Sequence, residues 1–193
     1  MRHRNITGAL ICGGTSKRFG SDKRLYRYKG KTFFDIAYEK LTAVCEEVVC
    51  VFRNEVPAPL DRYPLIYDDM RFEGPIAGIL AALNHTEHAA VLTLPCDVPL
   101  ITVNFLNYLA SFKNEGKVIV PYVNGLEPLI ALYPKTIEPR MRAFAERDAS
   151  LHRFIESLGF EEKNAMQPSQ WAAYGLTKDH FSNVNFRLSP PPV

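Results

Sequence analysis

The chain has 193 residues, 47% of them hydrophobic and 23% charged, and a net charge of +2. That length suits one domain, 1–193, and buries roughly 70% of the surface its unfolded chain exposes, so no disulfide or structural metal is needed to hold it. The small net charge excludes bulk attraction to nucleic acid or anionic lipid, and no apolar run approaches the ~20 residues that cross a bilayer. The N-terminus, "MRHRNITGALICGG", is basic and then apolar. Its apolar part, Ala9 to Cys12, is shorter than the roughly 7–15 residues of a secretory leader, so no leader is expected. Cys12, Cys45, Cys50 and Cys96 show no C-x-x-C spacing. They read as reduced core residues of a cytoplasmic protein.

In chain order, Ile6–Cys12 reads as a buried strand. Thr32–Cys45 reads as a helix, with Phe33, Ile36, Ala37, Lys40 and Leu41 on one face. "EVVCVF", Glu47–Phe52, is a β-branched strand, and prolines 57, 59 and 64 lead through a loop to a short strand, "PLIY". Gly74–Leu83 is a helix opened by Gly-Pro, since proline is tolerated in a first turn. "AAVLTL", Ala89–Leu94, is apolar throughout, which indicates burial on both faces. A helix at Val103–Phe112 precedes strands at Lys117–Val123 and Pro128–Tyr133, with a turn at "NGLE". Helices follow near Pro139–Arg147 and Leu151–Leu158, and "FSNVNF" reads as irregular. This alternation predicts an α/β class: a doubly wound, mostly parallel sheet with helices on both faces. Such sheets bind ligands beyond the carboxyl ends of their strands, where strand order reverses.

Two loops belong at that edge. "CGGTSKRFGSDK" follows the first strand and is rich in glycine and cations. Gly13 and Gly14 let backbone N–H groups approach a ligand, Ser16 adds a hydroxyl, Gly20 a second bend, and Arg18 and Lys23 add charge for phosphate oxygens. The plainer alternative is a solvated basic turn. "LPCDVPLI" holds Asp97 between Pro95 and Pro99. A lone hard carboxylate suits magnesium shared with substrate phosphates, although aspartate also caps helices and turns. Asp68 and Asp69 follow a strand and could meet a ribose or base, or be solvated.

Other patterns carry less. "GKT" at Gly30–Thr32 ends like a Walker box, but that box needs glycine at position 25, where Leu25 stands. It reads as a turn into the helix. G-x-G-x-x-G is absent. The five histidines form no triad, and Arg140, Arg142, Arg147 and Arg153 read as a solvated face rather than an anion site.

"LICGGTSKRFGSDKRLYRYKGKTFFD" resembles the N-terminal signature of the MobA-like nucleotidyltransferases, L-A-G-G-x-S-x-R-M-G-x-D-K-x-L. "DDMRFEGPIAGI", "LPCDVPLI" and "FSNVN" resemble the later motifs of that family, in order, so the likeness spans Leu10 to about Asn185. The resemblance implies a Rossmann-like nucleotidyltransferase whose N-terminal part binds nucleotide and whose C-terminal part binds the acceptor. It is greatest to members that join GMP, from GTP, to molybdopterin and release pyrophosphate. Cytidylyl relatives read L-A-A-G where this chain has Gly13, and a residue without Cβ admits a larger purine. The resemblance implies that Ile11, Cys12 and Gly13 contact the nucleotide through backbone, Lys23 the phosphates, Asp68 the nucleoside and Asp97 a magnesium ion. Arg18 matches the signature arginine, and Asn183 and Asn185 match asparagines on the molybdopterin side. It also implies delivery to a molybdoenzyme apoprotein or its chaperone. The chain departs from the pattern: Cys12 and Phe19 replace alanine and methionine, no asparagine lies between Val51 and Arg53, and the end, "FRLSPPPV", cannot continue as a helix. CTP in place of GTP, another phosphate acceptor (a sugar phosphate or cobinamide phosphate), and a non-catalytic GTP-binding module are the alternatives.

Overall fold

The computed structural model describes residues 2–13, 22–53 and 55–182, with the side chain of Lys23 set aside. The elements are β1 (His3–Ile11), β2 (Arg27–Tyr28), β3 (Lys31–Thr32), α1 (Phe33–Val44), β4 (Cys45–Phe52), β5 (Leu65–Tyr67) and α2 (Gly74–His85). Then come β6 (Ala90–Pro95), α3 (Val103–Ser111), β7 (Val118–Pro121), β8 (Leu132–Pro134), α4 (Glu138–Ala145), α5 (Leu151–Glu156), β9 (Lys163–Met166) and α6 (Pro168–Ala172).

Seven strands form one sheet in the order β5-β4-β1-β6-β8-β7-β9. β5, β4, β1 and β6 run parallel, as do β7 and β9, and β8 lies antiparallel between β6 and β7. The expected doubly wound, mostly parallel sheet is therefore present, with one reversed strand. β6 is buried along its whole length, as its unbroken apolar sequence requires. One face packs on α1, α3 and α6 through Phe34, Leu41, Phe105, Leu109 and Trp171. The other packs on α2, α4 and α5 through Ile76, Leu83, Met141 and Phe154.

Local chemistry explains the boundaries. Thr32 caps α1: its hydroxyl accepts from the backbone N–H of Asp35 at 3.0 Å and donates to that carboxylate at 2.7 Å. The "GKT" triplet is thus the end of the small β2–β3 hairpin and a helix cap. Gly74 opens α2 at φ +69°, and a Cβ there would stand 3.2 Å from the carbonyl oxygen of Ala149, so the position needs glycine.

Two expectations need correction. The strand expected at Pro128–Tyr133 begins only at Leu132. Pro128 has no N–H to give, and Ile130 N–H folds back onto the Glu127 carbonyl at 3.0 Å. Buried Thr93 bridges the gap, its hydroxyl donating to the Ala131 carbonyl at 3.1 Å. β9 and α6 were not anticipated, being four and five residues long and too short to show a period.

Candidate functional site

Strand order sets the location. β1 is flanked by β4, the next strand of the main sheet, and by β6, to which the chain returns through α2. Ile11 stands opposite Val51 on one side and Pro95 on the other. Beyond this edge the carboxyl ends of four parallel strands bring together Cys12–Gly13, Arg53, Asp68 and Cys96–Asp97. This is where a doubly wound sheet takes a ligand.

Each position is held by the sheet. Cys12 N–H donates to the Val51 carbonyl at 2.9 Å, and Asp68 N–H to the Phe52 carbonyl at 2.9 Å. Gly13 is exposed, and a Cβ there would meet nothing among the described residues within 4 Å. Among the described residues nothing in the packing demands that glycine.

Asp68 is the most constrained acid. Its side chain is 6% exposed, and its Oδ1 is buried without a hydrogen-bond partner among the described residues. Arg53 Nη1 donates to Oδ2 at 3.4 Å and to the Phe72 carbonyl at 3.0 Å. Burial raises the Asp68 pKa above the usual carboxylate range, and the Arg53 charge opposes that rise. Asp69 differs: it is clasped by Arg71 at 2.6 Å, and those hydrogen bonds pull its pKa down to about 2. Of the two acids, Asp68 is the buried one with an unpartnered oxygen among the described residues, and Asp69 is held in a surface ion pair.

Asp97 lies on the turn after β6, half-buried, five residues before the α3 cap, Thr102. Asp97 is therefore not the α3 cap; it is a turn aspartate, as the plainer reading of this residue also allowed. Among the described residues no three acids, histidines or cysteines converge as a protein-only cage. A single accessible carboxylate at the sheet edge fits magnesium, which takes one or two carboxylates and completes its shell with phosphate and water.

Lys23 belongs to a short 3-10 turn, Lys23–Leu25, beside the ends of β1 and β4. Asp22 and Arg24 brace that turn with a bidentate pair of 2.6–3.1 Å. Arg24 also donates to the Cys12 carbonyl at 3.4 Å and covers the Phe52 ring at 5.1 Å. Gly14, Ser16, Arg18, Asn183 and Asn185 lie outside the described residues. Sequence reasoning passed over Arg24 and Arg53. The available signal was a cation directly after a buried strand, "CVFR", fifteen residues before the aspartate it meets. Of the late arginines, Arg140 pairs with Glu162 and Arg153 with Asp148, whereas Arg142 pairs with Glu138 and also reaches Asp69 at 3.9 Å and covers the Phe72 ring at 5.8 Å, so it is not simply part of a solvated face.

The family model for the MobA-like NTP transferase domain matches residues 8–163. A Geobacillus protein named "Probable molybdenum cofactor guanylyltransferase" is 33% identical over 162 residues, covering 77% of this chain and 82% of its own. The crystal structure of molybdopterin-guanine dinucleotide biosynthesis protein A from Archaeoglobus fulgidus superposes with a TM-score of 0.78 at 22% identity, over 93% of this chain and 92% of that one. A Mycobacterium tuberculosis protein solved in complex with manganese superposes at 0.63 and 15% identity, over 84% and 89%. These two structures share the fold.

Proposed function

The chain belongs to the MobA-like NTP transferase family, and on that premise we propose that it transfers GMP from GTP to molybdopterin and releases pyrophosphate. The observation that carries the reading is the convergence of Gly13, Asp68 and Asp97 on one sheet edge, around a strand whose last residue pairs on both sides. The name of the Geobacillus relative supports the acceptor. Four buried cysteines, none of them in a disulfide among the described residues, support a reducing, cytoplasmic setting.

In this reading the backbone of Ile11–Gly13 lines the nucleotide, and the unpartnered oxygen of Asp68 accepts a hydrogen bond from the nucleoside. Lys23 and Arg18 face the phosphates, helped by Gly14 and Ser16, and Asn183 and Asn185 face the acceptor. Asp97 would hold magnesium, which when bound would supply charge neutralisation to the phosphates. A phosphate oxygen of molybdopterin attacks the α-phosphorus in line. The new P–O bond forms as the bond to the β-phosphate bridging oxygen breaks, and pyrophosphate leaves with that electron pair. The nucleophile is already anionic, so no general base is required. Positioning and charge stabilisation carry the rate.

The test is calorimetry with GTP, CTP and ATP in magnesium, followed by a pyrophosphate assay with molybdopterin. Selective GTP binding with pyrophosphate release is expected. Selective CTP binding would overturn the reading of Gly13. GTP binding with no pyrophosphate from any phosphate acceptor would leave a binding module.

A further inference from the structure

Lys40 has no part in the roles above. It lies half-buried on α1, and its ammonium donates to the carbonyl oxygen of Pro99, on the loop between β6 and α3. Among the described residues no carboxylate pairs with it, and burial lowers its pKa to about 8. Keeping a cation there costs free energy that an apolar side chain of similar length would not. What the cation touches is the chain two residues beyond Asp97.

The turn is built to transmit that contact. Pro95 ends β6 inside the ladder, opposite Ile11. Val98 and Ile101 are buried, and Ile101 N–H closes onto the Val98 carbonyl at 3.3 Å. Pro95 and Pro99 each fix φ. Asp97 is thus carried on a stiff arch with one foot in the sheet and the other tied to α1 by Lys40.

We propose that Lys40 is a positioning residue that holds the Asp97 arch where its carboxylate can share a divalent cation with the substrate phosphates. This rests on the assignment of Asp97 given above. A group that hydrogen-bonds a metal ligand directly is typically worth about 10–100-fold in metal affinity, and Lys40 acts one step further out, through the Pro99 carbonyl.

The experiment uses the full-length protein with Lys40→Met, Lys40→Arg and Asp97→Asn. Manganese binding in the presence of GTP is read from the paramagnetic signal of the free ion, GTP binding in EDTA by calorimetry, and the melting temperature by scanning calorimetry. Lys40→Met is expected to weaken manganese binding about tenfold. Its metal-free GTP affinity should be unchanged and its melting temperature no lower, because a poorly solvated charge has been removed. Lys40→Arg, which restores a charged donor, should recover most of the manganese affinity. Wild-type manganese binding in Lys40→Met, with binding lost in Asp97→Asn, overturns the role of Lys40 and leaves the site intact. Manganese binding retained in Asp97→Asn overturns the site and the tether together. A lowered melting temperature with parallel loss of manganese and metal-free GTP binding would make Lys40 structural only.

Discussion

Asp68 sets stability against use. A carboxylate buried at 6% exposure with one oxygen unpartnered has a raised pKa, so the fold binds its proton more tightly than the unfolded chain does. For an acid of this kind stability falls as pH rises from the ordinary carboxylate pKa through the folded value. Above that window Asp68→Asn should melt at the same or a higher temperature than wild type. The same change should weaken GTP binding about tenfold or more, the size of a lost hydrogen bond to a charged group, ~1.5–3 kcal/mol. A variant that melts lower and binds GTP normally would contradict this. Arg53→Met removes the opposing charge, so Asp68 should protonate at still higher pH. GTP affinity measured down a pH series should then begin to fail earlier than in wild type. For the phosphate-facing groups, Lys23→Ala and Asp97→Ala are each expected to lower turnover about 10²–10³-fold with circular dichroism unchanged, the usual cost of losing one transition-state contact.

At the scale of elements, what was legible followed the length of the pattern. α1, α2, α3 and the strands β1, β4 and β6 have long apolar runs or clear helical periods, and the structure places them within a few residues of the expected bounds. The direction of β8 was not legible, because pairing partners rather than local sequence set it, and β9 and α6 were too short to show a period. Caps explain the boundaries and can be tested apart from the site. Thr32→Ala should cost about 1 kcal/mol by denaturant unfolding, the usual price of an N-cap hydroxyl, and leave GTP affinity unchanged. A large loss of GTP affinity would return the "GKT" triplet to the phosphates. Gly74→Ala should cost more, since it adds backbone strain at φ +69° to a clash with the Ala149 carbonyl.

For the whole molecule, buried titratable groups predict the alkaline limit. Burial raises the pKa of Cys12 and pushes Cys45 and Cys50 up to about 12. Unfolded thiols ionise near ~8.5, so between that value and the folded pKa the unfolded chain gains stability as protons leave it. Lys40 acts in the opposite sense, its lowered pKa of about 8 relieving a cost as pH rises toward the ordinary lysine value. Three thiols outweigh one amine, so the melting temperature should fall from about pH 8.5 to pH 10; a rise over that range would contradict the burial of the thiols. The site edge was legible because the topology follows from alternation, and loops after β1 and β6 must then share an edge. Arg53, Arg24 and Lys40 were less legible, since their partners are backbone carbonyls and acids brought close only by folding. The central claim is tested most directly with GTP carrying a radioactive α-phosphorus, incubated with molybdopterin and magnesium. The account predicts that the label moves onto the pterin, with pyrophosphate released in equal amount. Label that stays in GTP, or reaches only water as free GMP, would contradict it.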